Sequence, residues 1–178
     1  GYFDVLRLFG DLHDAGVGLH LVCGNHDFWA GDVLKKVTGF EIYHDPVRLP
    51  FGDAEALLFH GDGLNPHDYG YRLFKRFARN SLAVRLFRHV HPDTAMAIAQ
   101  FMSRSSRTLT GVDKPAEGPE AHFVREHAHQ ILKSGEADIV ICGHAHAPAV
   151  EELVTENGTG RYINPGDWPN HRSYIIFE

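Results

Sequence analysis

The chain has 178 residues, 43% of them hydrophobic and 22% charged, with a formal net charge of −6. That is enough apolar material for one domain with a packed core, and it excludes an intrinsically disordered polymer. The acidic balance argues against a nucleic-acid partner, no apolar run approaches the roughly 20 residues of a membrane span, and Cys23 and Cys142 are too few for a disulfide framework, which fits a cytoplasmic setting.

The opening Gly1-Tyr2-Phe3-Asp4 shows neither a leader pattern nor an initiator Met. Residues 2–14 are predicted as an amphipathic helix, because Phe3, Leu6, Phe9 and Leu12 recur at helical spacing before Gly16. Residues 19–23 form a short apolar run ending at Gly24, as a buried strand does. Residues 30–37 read as helix stopped by Gly39. Residues 41–43, 47–50 and 54–59 read as strands, the last two joined by a Gly52-Asp53 turn. From Tyr69 to about Arg107 the period becomes helical, with breaks near Asn80 and His91-Pro92. A Gly/Pro/Asp-containing loop over 110–119 leads to a helix over 121–133, stopped by Gly135. Residues 139–142 read as a strand running into Gly143. Residues 150–155, 161–164 and 173–177 are expected as closing β-structure, with a turn at Asn157-Gly158. The whole chain is expected as a single domain with a helical insertion at about 69–110.

Three short motifs follow strand-like runs: Gly24-Asn25-His26-Asp27, His60-Gly61-Asp62 and Gly143-His144-Ala145-His146. Open α/β sheets place their sites at such strand ends. Glycine permits the sharp turn that presents side chains at a strand tip. His and Asn are neutral N and O donors suited to Mn²⁺, Fe or Zn²⁺, and the chain holds 14 histidines. If residues 144–146 are extended, both imidazoles project the same way. His89-x-His91 and His127-x-His129 fall on predicted helices, where side chains two apart diverge by about 200°. Those four, with His122 and His171, are read as surface or cap residues, and the two cysteines as small packed hydrophobes.

These three motifs, in this order, resemble the calcineurin-like metallophosphoesterase superfamily. The run from His60 to Tyr71, the basic insertion after it and Asn164-Pro165-Gly166-Asp167-Trp168 are similar to its UDP-2,3-diacylglucosamine diphosphatase branch. The resemblance implies a four-layered α/β sandwich with a helical cap. It implies two divalent metal ions, Mn²⁺ by expectation, with Asn25, His60 and His144 on one and His146 on the other. His26 would act beside the phosphate, and Asp27 would orient His26. Asn25, His26, Asp68 and Tyr71 fall where the branch contacts substrate, as do Arg104, Ser106 and Arg107. The reaction implied is hydrolysis of the pyrophosphate of UDP-2,3-diacylglucosamine, a step of lipid A biosynthesis on the cytoplasmic face of the inner membrane, where the protein would be peripheral. Two further motifs of the superfamily, Asp-x-His and Gly-Asp-x-x-Asp, belong upstream of Gly24. Asp11-Leu12-His13 and Gly10–Asp14 spell them, but inside the predicted first helix. The expectation is therefore that the chain begins downstream of the true pair and lacks its first strands.

Between Arg72 and Arg107 there are eight Lys/Arg and one acid, Asp93. The same stretch holds Leu73, Phe74, Phe77, Leu82, Val84, Leu86, Phe87, Met96, Ile98, Phe101 and Met102. A greasy groove with cations at its mouth would suit acyl chains below and an anionic headgroup above. Two alternatives stand beside this reading: a metallophosphoesterase acting on a soluble phosphodiester or nucleotide, and a non-catalytic scaffold of the same fold.

Overall fold

Local apolar patterning sets out the helices and strands, which a computed structural model arranges, among the described residues, around two sheets. The structure describes residues 2–87, 89–91, 93–95, 97, 98, 100, 118–156 and 158–177. In chain order the elements are α1 (Tyr2–Asp14), β1 (His20–Val22), α2 (Asp32–Thr38), β2 (Glu41–Tyr43), β3 (Val47–Phe51), β4 (Ala54–Phe59), α3 (Tyr69–Ala78), α4 (Ser81–Phe87), α5 (Pro119–Lys133), β5 (Ile139–Cys142), β6 (Ala149–Thr155) and β7 (Gly158–Asn164). β1 and β2 pair in parallel as a two-stranded sheet. α1 packs against α2 and is anchored by the Phe9 ring, 4.9 Å from Phe40.

The larger sheet has the order β3-β4-β5-β7-β6. Its central strands β4, β5 and β7 run parallel, flanked by antiparallel β3 and β6. Parallel neighbours cannot be joined by a hairpin, so α5 supplies the crossover from β4 to β5. Val124, Ala128, Ile131 and Leu132 of α5 pack on Leu57, Val140, Cys142 and Tyr162 of the sheet. The opposite face holds a smaller cluster of Ala56, Ile139 and Ile163, with Phe51 and Leu58 against it. β5 is apolar at every position because both its faces are covered. The mixed α/β sandwich expected from the sequence is the architecture observed.

α3 and α4 are inserted between β4 and α5, so they leave the sheet at the carboxyl end of β4. The Asp68 carboxylate accepts the Tyr71 N–H and caps α3. The Asn80 side chain accepts from Leu82 and Ala83 and opens α4, which explains the break the sequence shows there. Residues 173–177 differ from expectation, since they form no strand. Their apolar run attaches through side chains instead: Phe177 meets Phe51 edge-on at 4.9 Å, and Ser173 Oγ donates to the Pro165 carbonyl. Cys23 and Cys142 are buried free thiols. Burial pushes Cys23 up to about 11, helped by the Asp27 charge, and Cys142 up to about 12. Thiols held that far from thiolate behave as packed hydrophobes.

Leu132 is 1% exposed and lies against Gly160, where an added Cβ would stand 3.1 Å from its side chain. Leu132→Ala should lower stability by about 2–5 kcal/mol, from lost burial and a residual cavity. Urea unfolding followed by circular dichroism measures it. A loss under about 1 kcal/mol would mean that α5 does not carry the core.

Candidate active site

The three central parallel strands end at the same edge of the sheet. β4 delivers His60, β5 delivers Gly143 and His144, and β7 delivers the segment from Asn164 to Asp167. The β4–β5 ladder continues one step past the strands, as the Gly143 N–H donates to the His60 carbonyl at 3.2 Å. That bond sets the His60 and His144 rings edge-on, with centroids 5.0 Å apart. The buried Asn164 amide donates to the Gly143 carbonyl at 3.3 Å and braces the same loop. The end of β1 arrives from the other sheet. Gly24 lies so close under His60 that a Cβ there would be 2.5 Å from the imidazole. Glycine alone admits that approach, which brings Asn25 to this edge.

Behind His60 sits Asp62, its side chain 3% exposed. Its carboxylate meets His60 Nδ1 at 3.0 Å, accepts the Tyr71 hydroxyl at 2.8 Å, and pairs with Lys75 Nζ at 2.9 Å and an Arg79 nitrogen at 3.3 Å. Burial alone would raise its pKa. The hydrogen bonds from His60, Lys75 and Tyr71 outweigh this and hold it well below the usual carboxylate range. Burial and the adjacent Asp62 charge push the Tyr71 phenol up, so it stays a donor. Lys75 also donates to the Asp62 carbonyl at 2.7 Å. Arg79 reaches further, donating to the Gly24 carbonyl at 3.4 Å and the His44 carbonyl at 3.3 Å.

A second carboxylate, Asp167, is buried below β7 and meets His146 Nδ1 at 2.9 Å and His171 Nδ1 at 3.0 Å. Burial opposes its charge, but N–H donors from His171 and Asn170 hold it well below the usual range. His144 Nε2 stands 3.5 Å from Glu120 of α5.

Several placements differ from the sequence reading. His144 and His146 both adopt left-handed backbone, at φ 58° and 53°, so residues 144–146 are not extended. Ala145 is tucked into the core between them. The two rings therefore take different neighbours, Glu120 and His60 for His144, Asp167 for His146. Asp27 turns its carboxylate back onto the Gly24 N–H, closing its own loop; that is the hydrogen bond found for it, where one to His26 was expected. His26 is exposed on that loop, its carbonyl accepting from Trp29 Nε1. Asp68 caps α3, and Tyr71 is spent on Asp62. His171 is not a bystander but a partner of Asp167. His127 packs on Phe59, and His129 meets Glu151 at 2.9 Å. Asp11 and His13 lie within α1, where the His13 ring covers Gly39. Arg104, Ser106 and Arg107 lie outside the described residues, as do Met96, Phe101 and Met102. Among the described residues of the insertion, Leu73, Phe77, Leu82 and Leu86 present an apolar face open to solvent.

Lys75 and Arg79 escaped sequence reasoning. Their signal was the spacing Arg72, Lys75, Arg76, Arg79, which at i, i+3, i+4 and i+7 places four cations on one face of α3.

The donors suit a divalent metal. His60, with Nδ1 on Asp62, keeps Nε2 for ligation, and His146, with Nδ1 on Asp167, does the same, the carboxylate–histidine arrangement of metal sites. Among the described residues, however, no group of three or more His, Cys, Asp or Glu converges to hold an ion. The His60 and His144 rings are the pair of imidazoles that the structure brings together at this edge. The sequence matches the calcineurin-like phosphoesterase family over residues 2–148. The chain belongs to that family. Its members use divalent metals, in keeping with the histidines at the strand tips. Over 157 residues it is 31% identical to the UDP-2,3-diacylglucosamine hydrolase of Pseudomonas putida (strain W619), covering 88% of this chain and 64% of that protein. The proteins of the same name from Pseudomonas entomophila (strain L48) and Azotobacter vinelandii (strain DJ) are 31% and 29% identical, over 92% and 97% of this chain and 67% and 70% of theirs. The chain thus spans just under two thirds of the length of the Pseudomonas putida relative.

Because the folded pKa of Asp62 is depressed, its charge stabilises the fold fully above the ordinary carboxylate range. That contribution fades as pH falls below about 4 toward the folded value. Asp62→Asn should therefore lower stability at pH 7 by about 1–3 kcal/mol, with Lys75 and Arg79 partly solvated. The gap between the two proteins should narrow in acid. Urea midpoints from pH 3 to 7 measure it, and a gap that widens in acid would contradict the assignment.

Proposed function

We propose that the protein is a metal-dependent hydrolase that cleaves the pyrophosphate of UDP-2,3-diacylglucosamine to UMP and 2,3-diacylglucosamine 1-phosphate. One P–O bond of the diphosphate breaks, and water supplies the oxygen and protons that complete the two products. The observation carrying this reading is the facing His60–His144 pair at the tips of β4 and β5, tied through Asp62 to a basic helix with an exposed apolar face. The names of the relatives support the substrate.

In this reading Asn25, His60 and His144 hold one divalent ion and His146 a second, with Mn²⁺ as the expected metal. Such ions lower the cost of bringing a nucleophile onto an anionic phosphate. Asp62 and Asp167 hold the ligating imidazoles in one tautomer and one orientation. The His26 imidazole, exposed and without a hydrogen-bond partner among the described residues, is free to reach the phosphate and to steady its developing charge or protonate the leaving oxygen. Asp27 keeps the His26 loop closed through Gly24. Asp68 and Tyr71 fix α3 at the rim, where they border the sugar side of the substrate. Arg104, Ser106 and Arg107 are proposed for the same side. α3 and α4 act as the cap, their apolar faces taking acyl chains and meeting the inner-membrane surface. No helix among the described residues is long and apolar enough to cross a membrane.

UMP release from UDP-2,3-diacylglucosamine, with Mn²⁺ and then with EDTA, tests the reading. His26→Ala should lower turnover by about 10²–10⁴-fold with metal content unchanged. His60→Ala or His144→Ala should empty a metal position instead. Metal lost together with activity on His26→Ala would make His26 a ligand.

The cap has its own test. Phe74, Phe77 and Phe87 are 37%, 71% and 41% exposed, so trimming all three to Ala removes apolar surface with little damage to the core. Turnover of the diacylated substrate should fall far more than that of a small chromogenic phosphodiester, since acyl burial is worth about 0.8 kcal/mol per CH₂. Equal losses on both would favour a soluble substrate.

A further inference from the structure

Beside the strand-tip histidines lies a separate cleft of about 440 Å³ between α3 and the turn that follows β2. Its size falls within the roughly 300–1,000 Å³ of small-ligand pockets. Its wall is formed by the cationic face of α3, Arg72, Lys75, Arg76 and Arg79, opposite His44 and Asp45.

Lys75 and Arg79 are half-buried and committed to Asp62. Arg72 and Arg76 are exposed, and among the described residues neither has a carboxylate partner; Arg72 makes a single long contact of 3.5 Å to the Pro66 carbonyl. Asp45 is the acidic group in the wall. Four cations thus face two carboxylates, Asp45 and Asp62, leaving an excess of two positive charges. Two guanidinium forks one helical turn apart, over a half-buried ammonium, match the charge and the oxygen-rich surface of a phosphate dianion. Gly63, in left-handed backbone at φ 76°, completes the lining beside the Lys75 stem. The Lys75 and Arg79 side chains also border the small gap beside Asn25, so the cleft and the histidine edge share one wall.

We propose that this cleft is a second anion site, distinct from the strand-tip histidines, that binds a phosphomonoester dianion through Arg72 and Arg76. The phosphate can come from a soluble nucleotide or from a lipid headgroup. Binding there needs no metal and does not depend on which phosphoester the protein cleaves.

The test is done in EDTA, which separates it from hydrolysis. Calorimetric titration with UMP and with inorganic phosphate is run beside co-sedimentation with phosphatidylcholine vesicles, with and without phosphatidic acid. Saturable binding of UMP or phosphate that weakens at least tenfold in Arg72→Met/Arg76→Met supports the site and assigns it a soluble source. Binding only to vesicles carrying phosphatidic acid, lost in the same variant, supports the site and assigns a headgroup. Lys133→Met, on α5 and outside both the cleft and the helical insertion, is the control and should change neither. No binding in either arm overturns the proposal. Binding that survives Arg72→Met/Arg76→Met, or that Lys133→Met weakens equally, overturns it as well. The double variant's urea midpoint should match the parent, since both side chains are exposed, so a lost signal is read as lost binding.

Discussion

The buried Asp62 carboxylate is the constraint on which the rest of the site depends. A charge taken out of water is costly unless every lone pair is met, and its partners then become obligatory. Asp62 meets that demand with groups from two directions: the imidazole of His60 on its own strand tip, and the phenol, ammonium and guanidinium of Tyr71, Lys75 and Arg79 on α3. The insertion cannot leave the sheet without stripping the carboxylate of three donors. Arg79 extends the tie to the Gly24 and His44 carbonyls, at the ends of β1 and β2. One carboxylate therefore locks a helix, a histidine and both sheets into one arrangement, and the position of α3 is coupled to the orientation of His60.

Much of this architecture was legible because it is written locally. The apolar runs ending in Gly24, His60 and Gly143 announced the strand tips, and the glycines marked where backbone must turn or pass closely. Asn80 announced the break between α3 and α4. What escaped depends on distance in the chain. Lys75 and Arg79 lie 13 and 17 residues from Asp62, and only docking of α3 shows what they are for. Asp167 and His171 are far from His146 in sequence and adjacent in space. Local pattern also misled in two places. An Asp following a Gly-Asn-His serves equally to close its own turn, as Asp27 does, or to steady the histidine. Gly-His-Ala-His looks extended, but burying Ala145 in the core forces both histidines into left-handed backbone, at a local cost that the surrounding packing must offset.

The same geometry resolves an electrostatic difficulty. The proposed metal donors at the strand tips, Asn25, His60, His144 and His146, include no carboxylate, so cations held there would lack a directly bound countercharge. The structure places a carboxylate behind each imidazole: Asp62 behind His60, Glu120 near His144 and Asp167 behind His146. Both aspartates are held ionised by several donors each, so their charge is fixed rather than dependent on what binds. A carboxylate one imidazole away offsets positive charge less than a direct ligand does, yet it raises the basicity of the nitrogen facing the ion. The charge of Asp62 is already matched by Lys75 and Arg79, so within the proposed site it orients His60 rather than offsetting a cation. In the proposed anion cleft, the two arginines left over on α3 would favour anions. The proposed cation and anion sites would share the wall of Lys75 and Arg79, which suits the handling of phosphate, since that demands both.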